Sequence, residues 1–269
     1  MRLFPEPTFK NILFALLRII IGTYIFVGGW IYFTQDAMLY FPDARPFENC
    51  LELDDGIAID MNGTRGYFFK NGTSTKLTVF YHGNAGNACD RAYYRTAIEQ
   101  AGHSWLFVEY TGYAGDGKKP TGSGMLEDVR RTLAWIKTQE FSSTAVVGES
   151  IGSGPASFHA YRGTVERLIL ITPFERLSAV AHGYYPYLPV KLLLKEDYDN
   201  ILWAQYAKSV LIVAGGGDTI IPLKHAKHLF DALSQKNKEL FVLDGVDHNE
   251  VPALGKTQLK ILHFLSGAE

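Results

Sequence analysis

The chain has 269 residues, with 26 lysines and arginines against 28 aspartates and glutamates, a net charge of −2 and 20% charged residues. That balance argues against a nucleic-acid-binding surface, which needs a basic patch, and against an acidic disordered tail. Cys50 and Cys89 have no C-x-x-C pairing and no histidine at ligand spacing, so neither a zinc site nor a disulfide framework is indicated. Two ordinary buried thiols are expected, a single disulfide being the alternative in an oxidising compartment.

From Ile12 to Phe33 the chain is apolar apart from Arg18, hydroxyls and glycines. At about 1.5 Å per residue a helix of that length crosses a hydrocarbon core of about 30 Å. Residues 1–40 are therefore expected to form an amino-terminal anchor, with one transmembrane helix at about 12–33. Arg18 lies in the first third, where its stem reaches toward the headgroups and reduces the ~3 kcal/mol cost of a mid-bilayer arginine. Trp30, Tyr32 and Phe33 suit the opposite interface. Arg2, Lys10 and Arg18 precede or begin the span, whereas Asp36 and Asp43 follow it, so the rest of the chain is expected on the non-cytoplasmic side. A cleavable signal peptide is the competing reading, but the stretch is longer than a usual h-region and no A-x-A site follows.

Residues 41–269 are expected to form one α/β domain. Strands around Cys50–Leu53 and Gly66–Lys70, separated by Asp54-Asp55-Gly56 and Asn62-Gly63, read as an opening hairpin. Lys76–Tyr81 reads as a buried strand, Asn87–Ala101 as a helix, Trp105–Glu109 as a strand and Gly124–Thr138 as an amphipathic helix. Ala145–Val147 is a strand, Ile151–Tyr161 a helix, and Leu168–Ile171, Val210–Ala214 and Leu240–Leu243 are further strands before a last helix from about Val251 to Leu265. This alternation predicts a mostly parallel sheet covered on both faces, with chemistry outside the carboxyl ends of its strands. Residues of about 173–207 form an aromatic, proline-punctuated insertion. It reads both as a packed helical connection and as a cap lining an apolar acyl pocket.

Gly148-Glu149-Ser150-Ile151-Gly152 is a G-x-S-x-G motif between a strand and a helix, the context of a nucleophile elbow. A serine hydroxyl needs a histidine to take its proton and a carboxylate to hold that histidine's tautomer. Asp218, in Gly215-Gly216-Gly217-Asp218-Thr219-Ile220-Ile221-Pro222, follows a late strand, and His248, in Asp247-His248-Asn249-Glu250, follows the last one. His103, His159, His225, His228 and His263 read as structural, and Asp231 as a solvated helix residue. For the oxyanion, the backbone N–H groups of Ile151 and Asn84 are the candidates, the latter within Tyr81-His82-Gly83-Asn84-Ala85-Gly86-Asn87. The loop Thr111–Lys119 lacks both phosphate-loop spacings and is expected at the mouth of the site. Asn62-Gly63-Thr64 and Asn71-Gly72-Thr73 match glycosylation sequons but assign no compartment.

With H-G-N-A-G-N, G-E-S-I-G-S-G, G-D-T-I-I-P and D-H-N-E, the chain resembles the α/β-hydrolase superfamily over nearly everything after the anchor. More narrowly it resembles the membrane-anchored branch of α/β-hydrolase-domain serine hydrolases, with Leu39-Tyr40-Phe41-Pro42 in place of that branch's L-Y-F-P-like segment. The resemblance implies an α/β-hydrolase fold, a Ser150, Asp218, His248 triad, no metal or organic cofactor, and hydrolysis of carboxylic esters or thioesters, with lipid-like acyl substrates. The chain departs from relatives at Glu109-Tyr110-Thr111-Gly112-Tyr113-Ala114-Gly115, where an arginine-bearing or acidic variant of D-Y-R-G-Y-G is common. The alternatives are a peptidase on the same fold and a catalytically silent, membrane-tethered binding module.

Overall fold

A computed structural model describes residues 8–43 and 45–267, so Arg2, one of the residues that set the expected orientation, lies outside the described residues. Helix α1 (Phe9–Leu39) begins at Thr8, whose hydroxyl accepts from the Asn11 N–H. It is long and apolar enough to cross a membrane. Strand β1 (Phe41–Pro42) follows it and pairs with β5 (Ala85–Gly86).

The main sheet has eight strands. In chain order these are β2 (Ile57–Asp60), β3 (Arg65–Phe69), β4 (Lys76–Tyr81), β6 (Ser104–Glu109), β7 (Ser143–Glu149), β8 (Arg167–Ile171), β9 (Ser209–Gly215) and β10 (Asn237–Leu243). Their spatial order is β10-β9-β8-β7-β4-β6-β3-β2, with the β2–β3 and β3–β6 pairs antiparallel and the other pairs parallel. Leu77, Val79 and Tyr81 of β4 enter one buried cluster and Phe80 the other. Both faces are thus covered, which is why the strands read as continuous apolar runs.

Helices α2 (Arg95–Gln100), α3 (Gly122–Ile136), α4 (Ser153–Arg162), α8 (Lys224–Ala232) and α9 (Gly255–Ser266) pack on these faces. The insertion folds as α5 (Leu177–Tyr184), α6 (Val190–Leu193) and α7 (Asn200–Trp203). The chain leaves β4 for β6 on one side and returns to β7 on the other. This reversal opens a crevice at the carboxyl ends of β4 and β7.

Three local expectations change. The opening hairpin pairs β2 with β3 through the Asn62-Gly63 turn, not Cys50–Leu53, which is turn structure. Cys50 is held instead to Cys89, with a Cα–Cα separation of 5.7 Å, so the expected free thiols are a disulfide. The two cysteines are 39 residues apart in sequence, and only the loop packing brings them together. The helix expected at Asn87–Ala101 is a 3₁₀ turn at Cys89–Tyr94 leading into the short α2.

Candidate active site

Ser150 directly follows β7 with φ of +52°, the left-handed region that L-residues pay roughly 1–2 kcal/mol to enter. Its flanking glycines are required by close approach. A Cβ on Gly148 would stand 2.5 Å from the Ala156 Cβ and from the Gly152 carbonyl oxygen. One on Gly152 would stand 2.3 Å from the carbonyl oxygen of Tyr81. The turn therefore packs directly on the end of β4 and lifts the serine side chain out of the sheet.

The structure brings Ser150, Asp218 and His248 together from three separate loops. The His248 Nε2 lies 2.9 Å from the Ser150 Oγ, and its Nδ1 lies 2.6 Å from the Asp218 Oδ2. Asp218 Oδ1 accepts from the backbone N–H groups of Ile220 and Ile221, at 2.9 and 2.7 Å. A carboxylate so placed can only accept, so Nδ1–H donates to Asp218 and Nε2 faces the serine hydroxyl with a lone pair. Asp218 and His248 are buried while Ser150 is part-exposed, which opens the hydroxyl to an adjoining cavity.

That cavity, of about 540 Å³, is lined by Asn84, Arg91, Glu149, Ser150, Thr172 and Ile220 among others. Asn84 and Ile151 flank Ser150 on the two loops expected to supply oxyanion donors. The Asn84 side chain is fixed by its Oδ1, which accepts from the Phe41 N–H at 3.1 Å and the Tyr113 hydroxyl at 3.3 Å. Tyr113 is the link between the Thr111–Lys119 loop and the site. That loop does not line the cavity, contrary to expectation, because Tyr110 and Tyr113 are buried in the core. Thr111, at the point of departure from the resembling sequences, donates through both its N–H and its hydroxyl to buried Asp128, each at 2.8 Å. Burial nonetheless raises the Asp128 carboxyl above its usual range, against these hydrogen bonds.

Several site residues escape sequence reading. Glu149, between the motif's glycine and its serine, is buried and takes a 2.8 Å ion pair from Arg91, with the Tyr94 hydroxyl at 3.2 Å. Burial opposes the Arg91 charge, but the Glu149 carboxylate outweighs it and keeps the guanidinium above its usual pKa. Asp247 accepts from the N–H of Thr219 at 3.0 Å and of His248 at 2.8 Å, and these two bonds hold its carboxyl below the usual range. It thereby ties the Asp218 loop to the His248 loop. Thr172 has φ of +47°, unusual for a β-branched residue, and caps β8 at the cavity wall. Only the D-H pair preceding Asn249 signalled any of this in the sequence.

The insertion does not line this cavity. Tyr185, Leu188, Val190 and Leu193 of the cap line a separate cavity against α1, and the cap reaches the site through the Tyr184 hydroxyl, which donates to the carbonyl oxygens of Thr219 and Ile220 at 3.2 and 2.9 Å. Of the histidines read as structural, His159 is buried and bonded to the Tyr81 hydroxyl, and His225 is buried against Glu175 at 2.7 Å.

No protein-family model matches the chain. The fold is similar to that of an esterase of Pyrococcus furiosus, with a TM-score of 0.67 and 16% identity over 85% of this chain and 97% of that one. It is also similar to Est1E of Butyrivibrio proteoclasticus, with a TM-score of 0.62 and 17% identity over 80% of this chain and 98% of that one. These likenesses identify the α/β-hydrolase fold. In sequence, the chain is 26% identical to an uncharacterized membrane protein of Saccharomyces cerevisiae over 78% of its length and 76% of the yeast chain. It is 31% identical to the uncharacterized protein Rv2307c of Mycobacterium tuberculosis over 251 residues, 88% of this chain and 89% of the other. This α/β-hydrolase-fold chain therefore belongs to the same family as that mycobacterial protein.

Proposed function

We infer that the protein is a membrane-anchored serine hydrolase cleaving carboxylic esters or thioesters, with lipid-like acyl compounds as its substrate class. The observation that carries this reading is Ser150 in left-handed geometry with the His248 Nε2 at 2.9 Å and Asp218 on the far side of the imidazole. In the forward step the Ser150 Oγ attacks the acyl carbonyl carbon and its proton passes to the His248 Nε2. The tetrahedral oxyanion is received by the backbone N–H groups of Asn84 and Ile151. Collapse breaks the bond to the alcohol or thiol, which leaves with the proton from Nε2, and the acyl group remains on Ser150. Water then attacks this ester, gives its proton to Nε2, and Ser150 departs with that proton as the carboxylic acid is released. No metal or organic cofactor enters this scheme.

Residues 1–40 serve as the anchor in this reading and residues 41–269 as the catalytic domain, on the non-cytoplasmic side. Lys10 and Arg18 near the start of α1 support that orientation, and so does the Cys50–Cys89 pairing, which suits an oxidising compartment. The test is labelling of detergent-extracted protein with a fluorophosphonate. Labelling is expected in the wild type and lost in Ser150→Ala and His248→Ala. Equal labelling of wild type and Ser150→Ala overturns the nucleophile. Absence of labelling in folded wild type favours a tethered binding module, and cleavage of amide reporters as fast as ester reporters favours a peptidase.

A further inference from the structure

Part of the cap packs against α1. Between them lies a cavity of about 110 Å³ walled by Ile31, Met38, Tyr185, Leu188 and Leu193. Polar contacts fix the two in register. Gln35 donates to the Leu193 carbonyl at 2.8 Å and accepts from the Lys195 N–H at 3.0 Å, and the Lys195 ammonium pairs with Asp36 at 2.6 Å. Farther toward the amino terminus, the Tyr24 hydroxyl donates to the Tyr187 carbonyl at 2.8 Å.

The depth of Tyr24 decides what surrounds the cap. A hydrocarbon core of about 30 Å takes about 20 helical residues. Counted from Lys10, whose ammonium belongs among headgroups, the core reaches Trp30, an aromatic suited to the far interface. From Lys10 to Tyr24 the helix rises only about 21 Å, so Tyr24 lies well inside the core. Moving the near boundary toward Arg18 carries the far boundary past Trp30 and submerges more of the cap. Tyr187 is therefore held at a depth that lipid occupies.

Its side chains match that surrounding. Tyr187 is 89% exposed and Leu192 81%, beside exposed Tyr184 and Tyr185. Its backbone matches too, since lipid tolerates irregular chain only where the polar groups find partners. The N–H groups of Leu188, Val190, Leu192 and Leu193 bond within the segment, that of Tyr185 bonds to the Ala181 carbonyl just before it, and Pro186 and Pro189 have none to leave open. Lys191 and His182 are exposed there, and the Lys191 stem is long enough to carry its ammonium toward headgroups.

We propose that the Tyr184–Leu193 segment of the cap is a second membrane contact, immersed beside α1 in the leaflet on the catalytic-domain side. This rests on reading α1 as a membrane span. Because Tyr184 also holds the Thr219–Ile220 loop, whose Ile220 lines the Ser150 cavity, the contact sets the cavity next to the leaflet and fits an acyl ester resident in the bilayer.

The experiment uses the full chain in phosphatidylcholine vesicles, with an environment-sensitive fluorophore on Tyr187→Cys, the native cysteines being paired. Ile20→Cys reports on α1 itself, and Lys236→Cys, at the opposite end of the sheet, is the aqueous reference. Lipids spin-labelled on the acyl chain should quench more than half of the fluorescence at positions 20 and 187 and little at 236. Quenching at 20 with none at 187 overturns the proposal and leaves the anchor standing. No quenching at either position overturns both.

Discussion

Replacing Asp218 by asparagine separates the tautomer argument from folding. In the native site Oδ1 accepts from two backbone N–H groups at 2.9 and 2.7 Å, and Oδ2 faces the His248 Nδ1 at 2.6 Å. An asparagine must present its oxygen to those N–H groups, because the reverse orientation would aim an NH₂ at two donors. Its NH₂ then faces Nδ1, which must give up its proton and accept. The imidazole is forced to carry hydrogen on Nε2, so it can no longer take the proton from Ser150. The loss expected for a wrong tautomer at such a site is about 10⁴-fold in kcat, equivalent to about 5.5 kcal/mol of transition-state stabilisation. Folding should be nearly unchanged, since the size and the two backbone contacts are retained. The assay is kcat on a short-chain p-nitrophenyl ester in detergent, with the melting temperature as control. A folded Asp218→Asn protein with kcat within tenfold of the wild type would refute the assigned role of His248.

Further outcomes follow from other contacts. Gly152→Ala places a Cβ 2.3 Å from the Tyr81 carbonyl oxygen, a fixed backbone atom, and should cost about 3 kcal/mol of stability, read as a lowered denaturation midpoint. Cys89→Ser opens a loop with a sequence separation of 39 and should destabilise by about 4 kcal/mol, and reductant should lower the wild-type melting temperature while leaving the variant's unchanged. Burial lowers His159 to about 3 and His103 to about 4, so both are neutral in the fold and bind protons on unfolding. Their stabilisation is complete above about pH 6.5 and is lost as pH falls toward those lower values, by up to about 1.4 kcal/mol per pH unit each. His159→Asn should flatten the stability profile over that window, and an unaltered slope would show that this histidine is not held neutral.

The sheet was largely legible in the residues because β4, β6, β7, β8 and β9 are buried on both faces and so are continuously apolar. The edge was not. Cys50–Leu53 has the apolar character of a short strand, but Cys50 is drawn to Cys89 and the antiparallel pairing moves to Ile57–Asp60, where Asn62-Gly63 supplies the turn. Ser150, Asp218 and His248 could be placed from their strand-end positions and order. Glu149 and Asp247 could not be given parts, since a carboxylate beside a motif looks alike whether it meets solvent, a buried arginine or a neighbouring loop.

What the sequence by itself determined is whatever depends on near neighbours along the chain: strand and helix alternation, the glycine-flanked serine turn, and the length and apolarity of α1. Only the tertiary structure decided that Cys50 meets Cys89, that Asp247 ties two loops beneath His248, and that the cap packs Tyr185, Leu188 and Leu193 against α1 and does not line the Ser150 cavity. Periodicity and steric strain act over a few residues and leave their mark in composition. Contacts between loops many residues apart depend on how whole elements stack, and the same side chains serve equally well in many such arrangements.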